Sequence, residues 1–247
     1  MNIYPVTTVT EQDVYHLALI GKRCYSPKYI DTLWNDVSCI TFEKVTTFLS
    51  NLITNKHLSI LEHFNFTFGV DDVTRVFTHQ LVRHRHFSFA QMSNRYTKEP
   101  KIISNPNDVI YNYNTSMKEH DLKSIDLYYK LLNEGVDAEE ARFVLPGTIA
   151  TSIFVTGNLR TWMEFINKRS CSKAQKEIRI FAKTIHGYFM NNKWLSSLFK
   201  NESIGPECVS SVGCNKPCAE RYSTLSSYLA ECYRLQYINT QDFMGFK

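Results

Sequence analysis

One fourteen-residue stretch, from Arg83 to Tyr96, constrains the fold more than any other part of the chain. It carries three arginines and two histidines, interleaved with aromatic, hydroxyl and amide side chains. A purely structural role would not account for so many permanently charged side chains in so short a stretch. Because guanidinium groups bind phosphate bidentately, and hydroxyl and amide groups suit the edges of a heterocycle, the stretch predicts a nucleotide site.

The composition fits one large folded domain with an addition at its end. The 247 residues are 43% hydrophobic and 13% aromatic, which is enough apolar material to bury a sizeable core. After Asn201 the composition shifts, with Gly205-Pro206 followed by closely spaced cysteines. We therefore expect a main domain in residues 1–200 and a cysteine-bearing appendage in residues 201–247.

Charge and hydropathy narrow the classes of partner. The formal net charge of +4 is small for this length, which argues against a dedicated nucleic-acid binder. No apolar run approaches the roughly 20 residues that a bilayer-spanning helix needs, and Met1 to Thr10 lacks the features of a signal peptide. We expect a soluble, cytoplasmic protein with no membrane partner.

Cysteine and glycine usage argues against a disulfide-stabilised protein and against the usual glycine-rich nucleotide-binding motifs. The seven cysteines are scattered and odd in number, which predicts reduced thiols rather than a disulfide framework. The nine glycines form neither the G-x-G of a dinucleotide fold nor a phosphate-binding P-loop. A nucleotide cofactor must therefore be held by another arrangement.

Hydrophobic periodicity predicts the elements that carry the motif. Apolar residues at helical spacing predict a helix from Phe42 to Asn55 or Lys56. Strict alternation predicts a strand from Phe64 to Val70, closed by two aspartates, of which Asp72 suits a helix N-cap. The next helix, from Val73, is expected to carry Arg83-His84-Arg85 in its last turn, with an extended segment after it.

The second half of the chain predicts a mainly helical region with one more strand. The expected features are a surface connection over Lys101–Asn114, a helix resuming near Ser116, a helical segment at Ala138–Val144, a strand at Ile149–Val155, a helix N-capped by Asn158, a capping box at Ser172–Gln175 opening a long helix, and a helical end from Glu220 to Tyr237. The predicted fold class is α/β, of the α+β type, with helices packed around a mainly antiparallel sheet.

Other interpretations of the basic stretch stay open at this point. It could be a solvated helix end whose cations complement the helix dipole. It could also belong to a single-strand nucleic-acid binding module, with Phe87, Phe89 and Tyr96 stacking on bases.

Metal binding is a further alternative. The candidate ligands are His57, His63, His79, His84 and His86. Those at 79, 84 and 86 lack the i, i+4 spacing that places two imidazoles on one helix face, and no H-E-x-x-H occurs, so the sequence predicts no metal there. Cys208, Cys214 and Cys218 could bind zinc with Cys232 as the fourth ligand, although the spacing is unusual. No cysteine has a local signature typical of a catalytic nucleophile.

The motif resembles that of a known family. Arg83-His84-Arg85, seven residues and then Ser93 form the R-H-R-x7-S signature of flavin-dependent thymidylate synthases. Upstream, the segment from His57 to His63 is similar to the family's H-x-[ST]-x-x-E-H. Downstream, Arg142, Asn158-Leu159-Arg160 and Arg169 fall in the family's order, so the resemblance extends from about His57 to Ile185.

The resemblance implies a flavoprotein methyltransferase for dTMP biosynthesis. It would methylate dUMP with carbon from 5,10-methylenetetrahydrofolate and a hydride from FAD that NADPH has reduced, without an enzyme nucleophile. The implied assembly is a homotetramer with sites at subunit junctions. The implied FAD contacts are His57, Ser59, Arg83, His84, Arg85, His86, Gln91, Asn158, Leu159, Arg160 and Glu164. The implied dUMP contacts are Gln80, Leu81, Val82, Arg83, Gln91, Met92, Ser93, Asn94, Arg95, Arg142 and Arg169.

Arg169 is the predicted catalytic residue. A permanent cation against the pyrimidine edge would stabilise negative charge on O2, N3 or O4 and so activate C5. Ser93 lacks an adjacent base in the sequence and is assigned to binding. The chain departs from the family's usual residues at Gln91, where Glu is common, and at Glu164, where Asn or His is common.

Overall fold

The computed structural model describes residues 1–103, 114–199, 204–206 and 225–239. Its strands are β1 (Asn2–Pro5), β2 (Asn65–Thr74), β3 (Ser88–Gln91) and β4 (Ala150–Asn158). Its helices are α1 (Glu11–Arg23), α2 (Ile30–Ser38), α3 (Phe42–Thr54), α4 (Arg75–Leu81), α5 (Thr115–Asn133), α6 (Ala138–Ala141), α7 (Leu159–Arg169), α8 (Lys176–Asn191) and α9 (Leu225–Asn239). Short 3₁₀ segments lie at Leu58–His63, Arg142–Val144 and Ser196–Phe199.

Within the described residues the strands form one sheet in the order β1-β2-β4-β3, and every pairing is antiparallel. The long central strands β2 and β4 pair from Asn65 opposite Asn158 to Thr74 opposite Ala150. The short strand β3 adds to the free edge of β4, with Gln91 opposite Ile153. This confirms the predicted combination of helices with an antiparallel sheet.

An aromatic core lies between one face of the sheet and the helices α4, α7 and α8. Trp162 of α7 is fully buried and meets Phe68 of β2 in an edge contact with ring centroids 5.1 Å apart. Phe77 of α4 meets Phe181 of α8 at 5.4 Å in the same geometry. Edge contacts of this kind add to the area that the rings bury, so the core holds α4 and α7 in fixed positions against the sheet.

The transition from β2 to α4 corrects one sequence prediction. Asp71 and Asp72 do not close the strand, because β2 continues beyond them through a bulge between Val70 and Val73. Asp72 lies inside that bulge with φ of 57°, a conformation that aspartate tolerates better than most residues. The N-cap of α4 is instead Thr74, whose hydroxyl accepts the Phe77 backbone N–H.

Two further predictions are wrong in position. Arg83-His84-Arg85 does not form the last turn of α4, which ends at Leu81 and is followed by two non-helical turns. The predicted capping box does not form either, because the N-cap of α8 is Gln175 and the helix begins at Lys176. The Gln175 side chain accepts the Ile178 backbone N–H, and the oxygen atom of the Ser172 side chain is buried without a partner in the described residues.

Other predicted elements are confirmed. The helix predicted from Phe42 is α3, and the strand predicted at Ile149–Val155 is β4, which begins one residue later and runs to Asn158. Most of the expected connection at Lys101–Asn114, and the boundary predicted at residue 200, lie outside the described residues. Among the helices that the structure describes, none has both the length and the apolar character needed to cross a bilayer.

Candidate active site

Two tight turns present the basic motif between α4 and β3. The His84 backbone N–H donates to the Leu81 carbonyl at 3.0 Å, and the Phe87 N–H donates to the His84 carbonyl at 3.2 Å. Arg83, Arg85 and His86 are exposed as a result. The local sequence folds this way because the polar residues between Leu81 and Phe87 are flanked by buried anchors on both sides.

Phe87 is the anchor on the strand side. Its ring packs against Trp162 at 4.4 Å and Phe165 at 5.6 Å, between centroids. The ring also lies directly over Gly157 of β4, where a Cβ atom would come within 2.3 Å of a ring carbon. The absence of a side chain at Gly157 therefore lets the motif approach the sheet closely.

Arg169, the last residue of α7, is joined to the middle residue of the motif. Its Nε–H donates to Nε2 of His84 at 2.8 Å, across 85 residues of sequence. Burial, together with the charges of Arg169 and Lys168, lowers the pKa of His84 from 6.5 to about 4. His84 is therefore neutral near pH 7, as an acceptor at Nε2 must be, and its proton lies on Nδ1.

The corner where Arg169 meets the turn at His84 concentrates positive charge, with no matching carboxylate among the described residues. Burial and the nearby Arg83 charge lower the pKa of Arg169, although a guanidinium remains charged. In the part of the chain that the structure describes, Arg83, Arg85 and the terminal amino groups of Arg169 have no hydrogen-bond or ion-pair partner. Unpaired guanidinium groups at adjoining positions are suited to an anionic ligand.

Gln91 lies at the end of β3, between α4 and β4. Its amide Nε2 donates to the Thr78 hydroxyl at 3.1 Å and to the Thr151 hydroxyl at 3.4 Å. The Thr78 hydroxyl donates its own proton to the Arg75 carbonyl, so it accepts the hydrogen bond from Gln91. An amide donor suits that acceptor, whereas an ionised glutamate would offer it only lone pairs.

The loop after β3 is held by Arg75, a residue that the sequence analysis missed. Its Nη2 donates to the Met92 carbonyl at 3.1 Å and to Oδ1 of Asn94 at 2.7 Å. Asn94, predicted to contact the substrate, is buried and uses its side-chain oxygen in this way. Burial, with a smaller effect from the Arg142 charge, lowers the pKa of Arg75. The only sequence signal was a charged residue at the first position of a short helix.

Arg95 and Arg142 converge on one carboxylate. Arg95 Nη2 lies 3.1 Å from Oε2 of Glu139, and Arg142 Nη2 lies 3.9 Å from Oε1 of the same residue. Arg142 Nε also donates to the Glu139 backbone carbonyl at 3.0 Å. Glu139 was not predicted, although its i, i+3 spacing from Arg142 in a helical segment was a usable signal.

Ser93 lies on the same loop but has no base beside it. Its Oγ accepts the Arg95 backbone N–H at 3.3 Å, and its carbonyl accepts from Thr97. In the described residues no imidazole or carboxylate is hydrogen-bonded to the Ser93 hydroxyl. The arrangement supports a binding role and gives no means of activating a nucleophile.

The remaining predicted residues gather at the other end of α7. Arg160 Nη1 lies 2.6 Å from Oε1 of Glu62, and its Nε lies 3.4 Å from Oε1 of Glu164. Asn158 caps α7 by accepting the Thr161 backbone N–H at 2.9 Å, as predicted. His57 and Ser59 are exposed beside this end, at the 3₁₀ segment Leu58–His63.

The predicted site residues therefore form two groups within one chain. Arg160 and Arg169 are nine residues apart on α7, which separates them by about 13 Å along the helix axis. Leu81 and Leu159 are fully buried, so a ligand could reach only their main-chain atoms. Asn94 is also buried, and the other predicted residues are exposed or partly buried, Gln80, Val82 and Met92 among them.

Acidic, histidine and cysteine side chains are the candidates for a metal site. The described ranges contain no group of three or more such side chains that could hold a metal ion. Cys24, Cys39, Cys171 and Cys232 are free thiols. Cys208, Cys214 and Cys218, the candidate ligands of a zinc-binding tail, lie outside the described residues.

Comparison with known proteins identifies the family. The model of the thymidylate synthase complementing protein family matches residues 6–191. The chain is 37% identical over 171 residues to the flavin-dependent thymidylate synthase of Geobacter sulfurreducens, an alignment that covers 67% of this chain and 72% of that protein. It is 36% identical over 212 residues to the Clostridium tetani enzyme of the same name (78% and 82%) and 34% identical over 192 residues to the Pyrococcus abyssi one (71% and 77%). These matches confirm the resemblance seen in the R-H-R-x7-S motif, and the chain belongs to the flavin-dependent thymidylate synthase family.

Proposed function

We propose that this protein methylates dUMP to dTMP, taking the carbon from 5,10-methylenetetrahydrofolate and the hydride from FAD that NADPH has reduced. The observation that carries the proposal is the corner where Arg169 meets His84. There, the guanidinium groups of Arg83, Arg85 and Arg169 adjoin a neutral imidazole and have no carboxylate partner among the described residues.

The donor set suits FAD. A dinucleotide needs cations or backbone amides for its pyrophosphate, and this chain has no glycine loop to supply the amides. Exposed Arg83 and Arg85 would supply the cations, with His84 and His86 beside them. When bound and reduced, FAD supplies the hydride that completes the methyl group. The proposed contacts in full are His57, Ser59, Arg83, His84, Arg85, His86, Gln91, Asn158, Leu159, Arg160 and Glu164.

The loop after β3 suits the nucleotide substrate. A dUMP phosphate carries close to two negative charges, which Arg95 and Arg142 would neutralise while the Ser93 hydroxyl completes its shell. Arg75 holds this loop through Met92 and Asn94 and so fixes the position of the phosphate ligands. The proposed contacts in full are Gln80, Leu81, Val82, Arg83, Gln91, Met92, Ser93, Asn94, Arg95, Arg142 and Arg169.

Arg169 is the proposed catalytic residue. Its hydrogen bond to His84 uses Nε only and leaves both terminal amino groups free to face the pyrimidine. There they would stabilise negative charge developing on the uracil ring, which makes C5 nucleophilic towards the methylene carbon. Because His84, which orients Arg169, is neutral, it does not reduce the positive potential of the guanidinium as a carboxylate would.

We propose a homotetramer in which neighbouring chains complete each site. The two groups of cofactor residues lie at opposite ends of α7, and each would face a ligand shared with a neighbouring chain. Residues 1–200 would form the catalytic domain and residues 201–247 its appendage, in a cytoplasmic enzyme without membrane or nucleic-acid partners.

The proposal is tested with the purified full-length protein. The absorbance near the flavin bands, with and without added FAD, should show a bound flavin, and dTMP should form only when dUMP, 5,10-methylenetetrahydrofolate and NADPH are all present. R83A should lose FAD affinity, while K118A, an exposed cation on α5, should not. A protein that stays colourless in saturating FAD, or that binds single-stranded oligonucleotides with a steep salt dependence instead, would overturn the proposal.

A further inference from the structure

A buried polar junction joins the end of α7 to the helices α8 and α9. The Tyr228 hydroxyl of α9 donates to Oγ of Ser170 at 2.9 Å and lies 2.9 Å from Nδ1 of His186 on α8. All three side chains are at most 1% exposed. We call Ser170, His186 and Tyr228 the helix junction. The helix that supplies Tyr228 begins at Leu225, well beyond residue 191, where the family match ends.

The bonds of the junction fit a consistent arrangement of protons. With the Tyr228 hydroxyl donating to Ser170, the Nδ1–H tautomer of His186 donates to the tyrosine oxygen, and Sγ of Cys232 lies 3.9 Å from the same nitrogen. Burial lowers the pKa of His186 from 6.5 to about 4, so the ring is neutral and can carry that proton. Buried polar groups are tolerated only when they are satisfied, so these bonds fix one arrangement of the three helices.

The packing of α9 on α8 leaves little freedom to shift. A Cβ atom on Gly187 would lie 2.5 Å from the Cys232 backbone oxygen, so the two helix backbones touch there. Lys183, only 3% exposed, is held by Glu231 at 2.9 Å between Nζ and Oε1. The close backbone contact at Gly187 thus sets the position of Tyr228 against the end of α7, and the Lys183–Glu231 pair adds to the stability of the docked helix.

The junction acts on the residue that precedes Ser170. Ser170 is the C-cap of α7, with its N–H bonded to the Ile166 carbonyl, and Arg169 is the last residue of the helix. Helix ends fray because their last carbonyls lack helical partners. Tyr228 restrains this end on the core side, while His84 holds the Arg169 side chain on the site side.

We propose that Tyr228 is a positioning residue for Arg169, acting through Ser170 to hold the guanidinium where the proposed methylation needs it. Only the predicted effect on kcat rests on the proposed function. It gives the C-terminal helix a part in the reaction although α9 contributes no side chain to the described site.

Y228F tests the proposal, because it removes the hydroxyl and keeps the ring. In the full-length holoenzyme we expect kcat to fall by about 10-fold or more, since a small displacement of a reacting group has a large effect on rate. The FAD affinity and the KM for dUMP should stay within about twofold, because Arg169 is only one of the proposed dUMP contacts and the phosphate ligands Arg95 and Arg142 do not depend on the junction. S170A should give the same loss, and the double variant should lose no more than either single variant.

E231Q is the matched control. It weakens the docking of α9 at the Lys183 contact without touching Ser170, so it should lower thermal stability and leave kcat near that of the wild type. The proposal is overturned if Y228F and S170A keep wild-type kcat, or if E231Q loses as much kcat as they do.

A second readout separates this inference from the proposed function. In protein labelled with ¹⁵N-arginine, exchange of the Arg169 Nε–H with water should be several-fold faster in Y228F than in the wild type, whatever the protein catalyses. If the wild type makes no dTMP but this exchange responds, the positioning role stands and the proposed function fails. Unchanged exchange in Y228F would remove the positioning role itself.

Discussion

Arg169 donates its Nε–H to Nε2 of His84 at 2.8 Å, which ties the last residue of α7 to the turn that follows α4. The bond works in one protonation state only, because a protonated imidazole has no lone pair to accept with. It engages only Nε of the guanidinium and leaves the terminal amino groups available to a ligand. The neutral His84 thus orients the guanidinium of Arg169.

R169A should abolish dTMP formation while FAD remains bound. The substitution removes the charge that would stabilise the uracil anion, an effect of roughly 3–4 kcal/mol or about 10²–10³ in kcat for a single preorganised donor. R169K should recover little, because a lysine cannot bond His84 and the pyrimidine edge with the same planar geometry. Single-turnover assays and flavin absorbance measure the two properties separately.

The matched control for Arg169 is K168A. Lys168 is the neighbouring exposed cation at the same helix end, and it makes no contact with the imidazole nitrogen that Arg169 binds. K168A should keep near-normal turnover. Normal methylation by R169A would contradict the proposed activation of uracil.

His84 should make stability fall on mild acidification. Its pKa is about 4 in the native state and 6.5 in the unfolded chain, so between these values the unfolded chain binds a proton that the native state does not. The stabilising contribution of the neutral ring is complete above pH 6.5 and is lost as the pH falls towards 4. Urea unfolding at a series of pH values from 7 to 4 measures this slope.

H84Q provides the comparison for that slope. A glutamine oxygen can still accept from Arg169, but it does not titrate, so the variant should lose less stability than the wild type between pH 6.5 and 4. The buried His186, whose pKa is also about 4, contributes a second and separate part of the slope. Equal slopes in the wild type and H84Q would show that His84 does not titrate as described.

The sequence predicts most of the fold because its periodicity is strong. Helix α3 and strand β4 follow from apolar spacing, and the Asn158 cap follows from a polar residue placed before an apolar helix face. The motif itself predicts Arg83, His84 and Arg85 as site residues. Each of these signals is local, so it survives whatever the tertiary structure does.

The predictions that failed depend on contacts distant in sequence. No local pattern indicates that β2 continues past Asp72, because the bulge is set by pairing with β4. Gln175 rather than Ser172 caps α8. The pairing of Arg169 with His84 joins residues 85 positions apart, so only the folded chain reveals it.

E139Q should tighten dUMP binding. Glu139 stands between Arg95 and Arg142, and its carboxylate would repel the substrate phosphate that we place there. Exposed ion pairs contribute only about 0–1 kcal/mol, so little organisation is lost with the charge. The KM for dUMP should fall by about twofold to fivefold, and the difference should shrink at high salt.

E140Q is the control for Glu139. This adjacent exposed carboxylate lies on the same short helix and makes no ion pair with either arginine. It should leave the KM close to that of the wild type. A rise in KM for E139Q would mean that Glu139 organises the phosphate ligands instead of competing for them.

G157A should displace Phe87 and with it the basic turns. The new Cβ would meet the Phe87 ring at 2.3 Å, and overpacking of a core costs about 1–3 kcal/mol. FAD affinity should fall together with stability, and the double variant G157A/F87L should recover part of both. G69A is the control on the neighbouring strand, where the new Cβ would approach the half-exposed Phe154 ring at 3.0 Å and would meet Tyr4 Cβ only at an ordinary contact distance of 3.6 Å.

Glu177 should prove to be the buried support of the whole motif. Its carboxylate on α8 accepts the Thr74 backbone N–H at 2.9 Å and the Thr74 hydroxyl at 2.6 Å, so it fixes the first turn of α4. E177A removes the carboxylate acceptor of both buried bonds and should cost at least about 2 kcal/mol of unfolding free energy.

E177Q separates the charge of that carboxylate from its shape. In E177Q the amide oxygen still accepts one of the Thr74 bonds, while the amide nitrogen faces the other Thr74 donor. The loss of unfolding free energy should therefore be smaller than in E177A, at about 1 kcal/mol. Because α4 leads directly into Arg83, FAD affinity should fall in the same order, with E177A below E177Q and E177Q below the wild type. Denaturant titration and flavin binding measure the two quantities, with E119A on the exposed face of α5 as the control. Full FAD affinity in a destabilised but folded E177A would show that the turns hold their shape without support from α8.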